Sequence, residues 1–157
     1  MAQKQVFTTV AAGVPGGKAT LNPFVYHPNA LLAEDEVIVG NFAWPGSDPE
    51  LQAKSSTSGT DAPIGLVERN IVYPNYDVLD DGSLIVPDGS ALTIGIRGDY
   101  WVMTSTAATI GQKVFASTTD GSIAAGAAGA TVAGHVETPW YVEIAGAAGE
   151  VIMISRH

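Results

Sequence analysis

One stretch near the start of the chain carries residue types that could bind a phosphate. Gly17 and Lys18 match the glycine–lysine step of the phosphate-binding loop pattern. Ala12 stands where the pattern needs its first glycine, and Ala19 stands where Ser or Thr would hold Mg²⁺. The flanking sequence does not have the pattern of a strand followed by a helix. We therefore predict no nucleotide site here.

An acidic stretch in the middle of the chain has part of a calcium-binding spacing. Asp77, Asp81, Gly82 and Asp88 occupy positions 1, 5, 6 and 12 of the loop that binds Ca²⁺ between two helices. Position 3 is Leu79, and no helix is predicted on either side. The set of oxygen ligands is incomplete, so a solvated hairpin turn is the preferred interpretation.

A histidine and a glutamate share one strand face but lack further ligands. His135 and Glu137 are two residues apart, and this spacing puts both side chains on the same side of a strand. A zinc ion needs more ligands, whereas the chain has no cysteine and only two other histidines, His27 and His157. We predict a surface pair, no metal site and no cofactor.

Nucleophilic and sugar-binding patterns are equally incomplete. No Gly-x-Ser-x-Gly elbow occurs, although the many acids leave a carboxylate pair open. Trp44, Trp101 and Trp140 could form a platform for sugar rings, but each lies beside apolar residues at the end of a predicted strand. Core or interface anchors are the better interpretation. We expect a protein that is not an enzyme.

The elements around these residues are predicted to be β-strands. Short apolar runs recur every 10–15 residues and are separated by turn or strand-breaking residues such as Gly98-Asp99, Asp120-Gly121 and Thr138-Pro139. The predicted strands cover residues 37–44, 64–69, 71–73, 76–79, 84–86, 91–97, 100–103, 113–116, 134–137, 140–144 and 150–155. Helical signals are confined to residues 28–36 and 48–54. The pattern predicts a single-domain, all-β antiparallel barrel or sandwich.

The first thirty residues differ from the rest. A possible short strand at 7–10 is followed by a Gly- and Pro-rich stretch, and Pro23 and Pro28 favour extended backbone before them. We predict an extended N-terminal arm over residues 1–30, lying on its own domain or on a neighbour, and a body over residues 31–157. A frayed terminus is the alternative.

The composition indicates a protein that binds other proteins. Charged residues make up 15% of the 157 residues, below the usual ~25%. The net charge is −9, and residues 31–100 alone carry −9. An acidic body argues against a nucleic-acid partner, and no apolar run is long enough to span a membrane. With no recognisable secretory signal, we expect synthesis in a cytosol.

Several stretches of residues 36–157 share a characteristic order of Gly and apolar residues. These are Pro63-Ile64-Gly65-Leu66-Val67-Glu68-Arg69, Gly98-Asp99-Tyr100-Trp101-Val102, Ile110-Gly111-Gln112-Lys113-Val114-Phe115-Ala116 with Asp120-Gly121, Gly134-His135-Val136-Glu137-Thr138 with Trp140, and Gly149-Glu150-Val151-Ile152-Met153-Ile154-Ser155. In this order the chain resembles the cement, or decoration, proteins of tailed-bacteriophage capsids.

The resemblance implies a protein on the outside of the shell that stabilises contacts between neighbouring major capsid proteins. It further implies self-association as a homotrimer, or alternatively as a dimer, and location in the virion after synthesis in the host bacterial cytoplasm. The candidate contacts with the capsid or with other copies are Phe7, Val10, Val14, Lys18, Trp44, Trp101 and Trp140. The alternatives are a tail or baseplate component, and a small β-fold carbohydrate-binding module or enzyme.

Overall fold

The structure is a computed structural model that describes residues 12–70 and 85–157. Thirteen β-strands and no α-helix occur in these ranges, which confirms the all-β class. No helix that could cross a membrane is therefore found in them. The strands are β1 (Val25–Tyr26), β2 (Leu31–Ala33), β3 (Val37–Ile38), β4 (Phe42–Pro45), β5 (Gln52–Lys54), β6 (Gly65–Val67), β7 (Ile85–Val86), β8 (Ala91–Leu92), β9 (Ile94–Met103), β10 (Lys113–Ser117), β11 (Ile123–Gly126), β12 (His135–Ile144) and β13 (Val151–Arg156).

Five strands in the second half of the chain form a barrel. Their order is β11-β10-β12-β13-β9, and every pair in it is antiparallel. Thr104, just after β9, makes a parallel bridge to Ile123 on β11, and this bridge closes the ring of strands. The interior holds large rings and branched aliphatic side chains, with Tyr100 and Trp140 at its centre.

The remaining strands form a smaller lobe on the other part of β9. Their order is β9-β6-β4-β5-β2-β8, and β8 leads through Thr93 directly back into β9. One pair, β2 with β5, is parallel, so the sheet is mixed rather than antiparallel throughout. The separate pair β3–β7 packs against this lobe. The shared core consists of small and aliphatic residues such as Leu31, Val37 and Val67.

Strands β4 and β6 lie between the two cores and supply both. Phe42 and Trp44 join the barrel core, whereas Ala43 between them joins the core of the lobe. Successive side chains of a strand point to opposite faces, so a strand buried on both faces reads as a continuous apolar run. The run Phe42-Ala43-Trp44 therefore serves two packed layers at once.

Two predicted turns are wrong because long strands continue through them. A turn at Gly98-Asp99 was expected, but β9 runs unbroken from Ile94 to Met103 and Gly98 pairs with Arg156 of β13. Gly98 has a φ of 130°, which bends the strand instead of ending it, and a Cβ there would overlap the Phe24 ring.

The expected break at Thr138-Pro139 is also absent. Strand β12 runs from His135 to Ile144, and its pairing with β10 shifts register between Lys113 and Phe115. The extra residues of β12 form a bulge there, where a proline needs no partner for its missing N–H.

Three further expectations need correction. The predicted helical stretch 28–36 contains β2, in which buried Leu31 and Ala33 flank exposed Leu32. The stretch 48–54 makes a single turn, with the Leu51 and Gln52 amides donating to the Asp48 carbonyl, before β5 begins. The predicted strand 37–44 is divided into β3 and β4, because Gly40 adopts a φ of 85° against Pro15 and Gly16.

Residues 12–27 lie along β9 of their own chain. Gly16 N–H donates to Trp101 O at 2.8 Å, Trp101 N–H donates to Gly17 O at 2.9 Å, and Ala19 N–H donates to Asp99 O at 2.8 Å. Further along, β1 pairs with β9 through Val25 and Arg97. We call residues 12–27 the strap. The division into an arm (1–30) and a body (31–157) remains a prediction.

Several expectations fall outside the described residues. These are the possible strand 7–10, the strands at 71–73 and 76–79, and most of the acidic stretch from Asp77 to Asp88. Of the predicted strand 84–86, the two residues of β7 are confirmed.

Candidate interaction surface

The outer side of β9 and β13 carries an apolar face. Tyr100 and Val102 of β9 point into the barrel core, so Trp101 and Met103 point outward. Across the ladder, Met153 pairs with Trp101 and Val151 pairs with Met103. We call these four residues the apolar face. Trp101 is 7% exposed and Met103 is 51% exposed.

The strap borders this face. A Cβ at position 13 would overlap the Trp101 indole, so only glycine lets the strap lie this close to the ring. Val14, the next residue, is 53% exposed. On the β12 side, Met153 pairs with Ile144, which is 40% exposed. The face therefore has exposed aliphatic neighbours in the strap and in β12.

A network of polar side chains holds the strap next to the apolar face. The buried Asp99 carboxylate accepts hydrogen bonds from Thr20 Oγ1 at 2.5 Å, from Asn22 Nδ2 at 2.6 Å and from Ser155 Oγ. His157 Nε2 lies 3.3 Å from the same carboxylate. The strap is thus tied to β9 and to the end of β13 at one point.

Opposing influences set the pKa of Asp99. Burial is the largest and raises it, but hydrogen bonds from Ser155, Thr20 and Asn22, together with the charge of His157, lower it. The net pKa lies below the usual 3.8. Asp99 is therefore an ionised acceptor at neutral pH.

Lys18 is anchored within its own chain. Its Nζ lies 3.5 Å from Glu68 Oε1, 5.1 Å from the Phe24 ring centroid and 5.4 Å from the Tyr26 ring centroid. A hydrogen bond with Tyr26 is the main cause that raises its pKa above 10.5; burial opposes this and the charge of Glu68 adds to it. The side chain is still about half exposed.

The same glutamate holds the Tyr100 hydroxyl. Tyr100 Oη donates to Glu68 Oε2 at 3.0 Å, and burial together with the Glu68 charge raises the pKa of the phenol. Tyr100 therefore remains a neutral donor.

Three of the seven predicted contact residues lie in the strap or beneath it. Val14 and Lys18 belong to the strap, where Lys18 forms a β-bridge with Tyr100, and Trp101 lies under Gly13 of the strap. Trp44 and Trp140 are fully buried in the barrel core, where Trp44 Nε1 donates to Asp61 O at 3.0 Å. Their predicted contact role is not favoured by this burial. Phe7 and Val10 lie outside the described residues.

The predicted surface pair of His135 and Glu137 contacts backbone atoms of the loop before β12. His135 Nδ1 lies 2.8 Å from Ala133 O, and Glu137 accepts the Gly129 N–H at 2.7 Å. Within residues 12–70 and 85–157, no three His, Cys, Asp or Glu side chains are placed to hold a metal ion together.

Comparison with known proteins identifies the family. The model of the XM1 gp53 minor capsid protein family matches residues 3–156 of the chain. The chain belongs to this family. The predicted relationship to phage capsid proteins is thereby confirmed, and family membership places the protein in the virion, in association with capsid proteins.

Two solved structures share the fold. A chain from the capsid of Myoviridae phage XM1 aligns over 98% of this chain and 96% of its own length, with 16% identity and a TM-score of 0.66. The N base of head fiber gp8.5 from bacteriophage phi29 aligns over 86% of this chain and 95% of its own, with 11% identity and a TM-score of 0.53. At these identities the likeness concerns the fold. No curated protein matches the chain in sequence.

Sequence reasoning missed most of the apolar face. Met103, Val151 and Met153 lie in runs that are apolar on both strand faces, so alternation did not separate outward from inward residues. The available signal was the pairing of Tyr100-Trp101-Val102-Met103 with a second, equally apolar run that closes the chain.

Proposed function

We propose that this minor capsid protein is a cement, or decoration, protein. It binds the outer surface of a phage shell and stabilises contacts between neighbouring major capsid proteins. The observation that carries the proposal is the apolar face on an otherwise acidic member of a minor capsid family. Its role is structural rather than catalytic.

The charge of the chain supports an outer position. A protein of net charge −9 is repelled by packed DNA, whose phosphates attract Lys- and Arg-rich surfaces. Its seven basic residues are outnumbered by sixteen acids. The outside of the shell, away from the DNA, is the electrostatically favourable location.

The apolar face supplies the contact with the shell. Met103 and Val151 carry no charge, and Trp101, 7% exposed beneath the strap, adjoins them on the ladder as their support rather than as contact area. Aromatic residues and Met are enriched at interfaces, and a neutral face avoids the cost of desolvating charges. We assign the major capsid protein as its partner.

A cement protein can stabilise the shell through many contacts that are individually weak. Association of the protein with itself, as a trimer or alternatively a dimer, would let one assembly hold several shell subunits together. Each added interface must be broken before the subunits separate, and linked contacts strengthen one another through avidity.

Decoration of particles that lack the protein tests the proposal. Purified protein is added to such particles from outside, and bound copies are located by electron cryo-microscopy and counted. We expect binding on the outer surface in copy numbers comparable with those of the shell subunits. A few copies confined to the tail would instead identify a tail or baseplate component.

Paired variants test the apolar face. Met103→Lys places a charge in the face and is expected to weaken decoration at least about tenfold, because the lysine must be desolvated on binding. Ile85→Lys is the control, since Ile85 is similarly exposed but lies on β7, outside both the apolar face and the turns around β5. Equal decoration by both variants would remove the face from the proposal.

A further inference from the structure

Two arginines lie next to each other at the end of the β9–β13 ladder. Arg156, the last residue of β13, pairs across the ladder with Gly98, and Arg97 precedes Gly98 on β9. Arg97 is exposed and Arg156 is partly buried. Among the described residues the ion pairs are Lys18–Glu68 and His157–Asp99, so neither arginine has a carboxylate within 4.0 Å there.

This arrangement is unfavourable in the isolated chain. Partial burial removes water from the Arg156 guanidinium, and the charge of Arg97 repels it; both lower the pKa of Arg156 from its ordinary value. Carboxylates that dock on the pair would relieve the repulsion and form charge-assisted, bidentate hydrogen bonds. The side chain of Val25, which pairs with Arg97, is exposed beside the two arginines.

The chain carries a complementary surface on its lobe. Two turns meet there, because Ser47 donates to the Glu34 carboxylate from both its N–H and its hydroxyl. These hydrogen bonds, with the charge of Lys54, lower the pKa of Glu34 and keep it ionised. The exposed acids of the two turns, Glu36, Asp48 and Glu50, form what we call the acidic edge.

Charge favours this edge over other partners. Residues 31–70 contain seven acids and two bases, a net charge of −5, and Lys54 is the one base that lies among the two turns and β5. DNA is disfavoured as the partner because the whole chain carries −9 and would be repelled by it. A second copy of the chain offers exposed carboxylates on its acidic edge. Each copy carries both patches, so the two are always present in equal number.

We propose that Arg97 and Arg156 of one copy bind the acidic edge of the next copy, so that copies associate head to tail. Because the two patches differ, the contact is heterologous, and it closes into a ring if the rotation between copies permits. Self-association is part of the proposed function, and this contact rests on it. The contact adds the residues through which one copy binds the next.

Sedimentation of the full-length protein tests the contact. The double variant Arg97→Glu/Arg156→Glu, which we call the corner variant, reverses the charge of the two arginines. The control is Arg69→Glu/Lys113→Glu, which changes the net charge by the same amount. We expect the wild type and the control to sediment as the same oligomer, and the corner variant to dissociate with at least a tenfold higher Kd. High salt should weaken the wild-type oligomer, since the contact is partly exposed.

A charge exchange separates the contact from general destabilisation. Reversing the charge of the acidic edge alone (Glu36→Arg/Asp48→Arg/Glu50→Arg) should also dissociate the oligomer. Combining these substitutions with Arg97→Glu/Arg156→Glu in one chain should restore the oligomer, because the two patches are again opposite in charge. Circular dichroism checks folding, and the single variant Arg97→Glu, at an exposed position, serves if the double variant does not fold.

The outcomes are distinct. A monomeric wild type, an unchanged Kd in the corner variant, or no restoration by the combined exchange would each overturn the contact. So would a corner variant that keeps its oligomer but loses binding to particles or to DNA. If the contact is confirmed and the protein fails to decorate particles, the cement function falls while the contact stands.

Discussion

The barrel and the lobe share β9 but differ in strand length and in the side chains of their cores. The barrel has two ten-residue strands and a core in which Trp140 lies edge-on to Phe42 and Tyr100, with ring centroids 6.2 and 5.8 Å apart. The lobe, apart from β9, has strands of two to four residues and a core of small and aliphatic side chains. Large rings bury more surface per residue than alanine or valine.

The difference assigns separate tasks to the two regions. The long ladders of the barrel position the apolar face and the strap. The lobe has little regular backbone between its turns, and those turns carry the exposed acids of the acidic edge. The apolar face and the acidic edge thus lie in different parts of one molecule.

Truncation of the central ring in the barrel should have the largest effect. Trp140→Ala leaves a cavity next to Tyr100 and Phe42, and we expect it to lower the free energy of unfolding by about 3–5 kcal/mol. Urea unfolding measures the loss. Tyr141→Ala, the partly exposed neighbour on β12, is the control and should cost far less. A similar cost at both positions would contradict the aromatic core.

Truncation in the lobe should have a smaller and local effect. Leu31→Ala removes a fully buried side chain, and we expect a loss of about 2–3 kcal/mol, since short strands can relax around the cavity. Hydrogen exchange should show faster exchange in β2, β4 and β5 while β12 and β13 stay protected. Equal acceleration in both regions would show that they unfold as one unit.

Acid should loosen the strap before either core. The pKa of folded Asp99 lies below its usual 3.8, so its stabilising effect is complete above that pH and is lost as the pH falls through the folded value. Asp99→Asn should cost about 1–2 kcal/mol at neutral pH and show a smaller further loss in acid. Urea unfolding at several pH values, with exchange of the Gly16 and Ala19 amides, measures both effects.

The result for Asp99→Asn can contradict the attribution of the acid response to Asp99. If the variant loses as much stability on acidification as the wild type, another carboxylate controls the acid response. Ser155→Ala, which removes one donor but keeps the carboxylate, should retain most of the acid dependence.

The sequence predicted the elements whose signals are local. The strand at 113–116 and the closing strand at 150–155 correspond to β10 and β13, because each has β-forming apolar residues between clear turn residues. β11 was missed because Ile123-Ala124-Ala125-Gly126 has little intrinsic strand preference; the pairing with β10 and the bridge to Thr104 hold it in place.

The interaction surface depends on contacts that local patterns do not encode. Trp101 was singled out by its residue type, but its partner Met153 and the covering Gly13 are distant in sequence. The same holds for the bond from Thr20 to Asp99, 79 residues away. Turn composition at Gly98-Asp99 and Thr138-Pro139 was overridden by tertiary pairing, so the long strands that form the face were divided in the prediction.

As a cement protein, the chain is proposed to reinforce the shell from outside. The most direct test compares the temperature at which DNA is released from filled particles with the protein, without it, and after purified protein is added back. We predict release at a lower temperature without the protein and recovery after addition, with Met103→Lys protein failing to restore it. Equal release temperatures in all three samples would contradict the cement function.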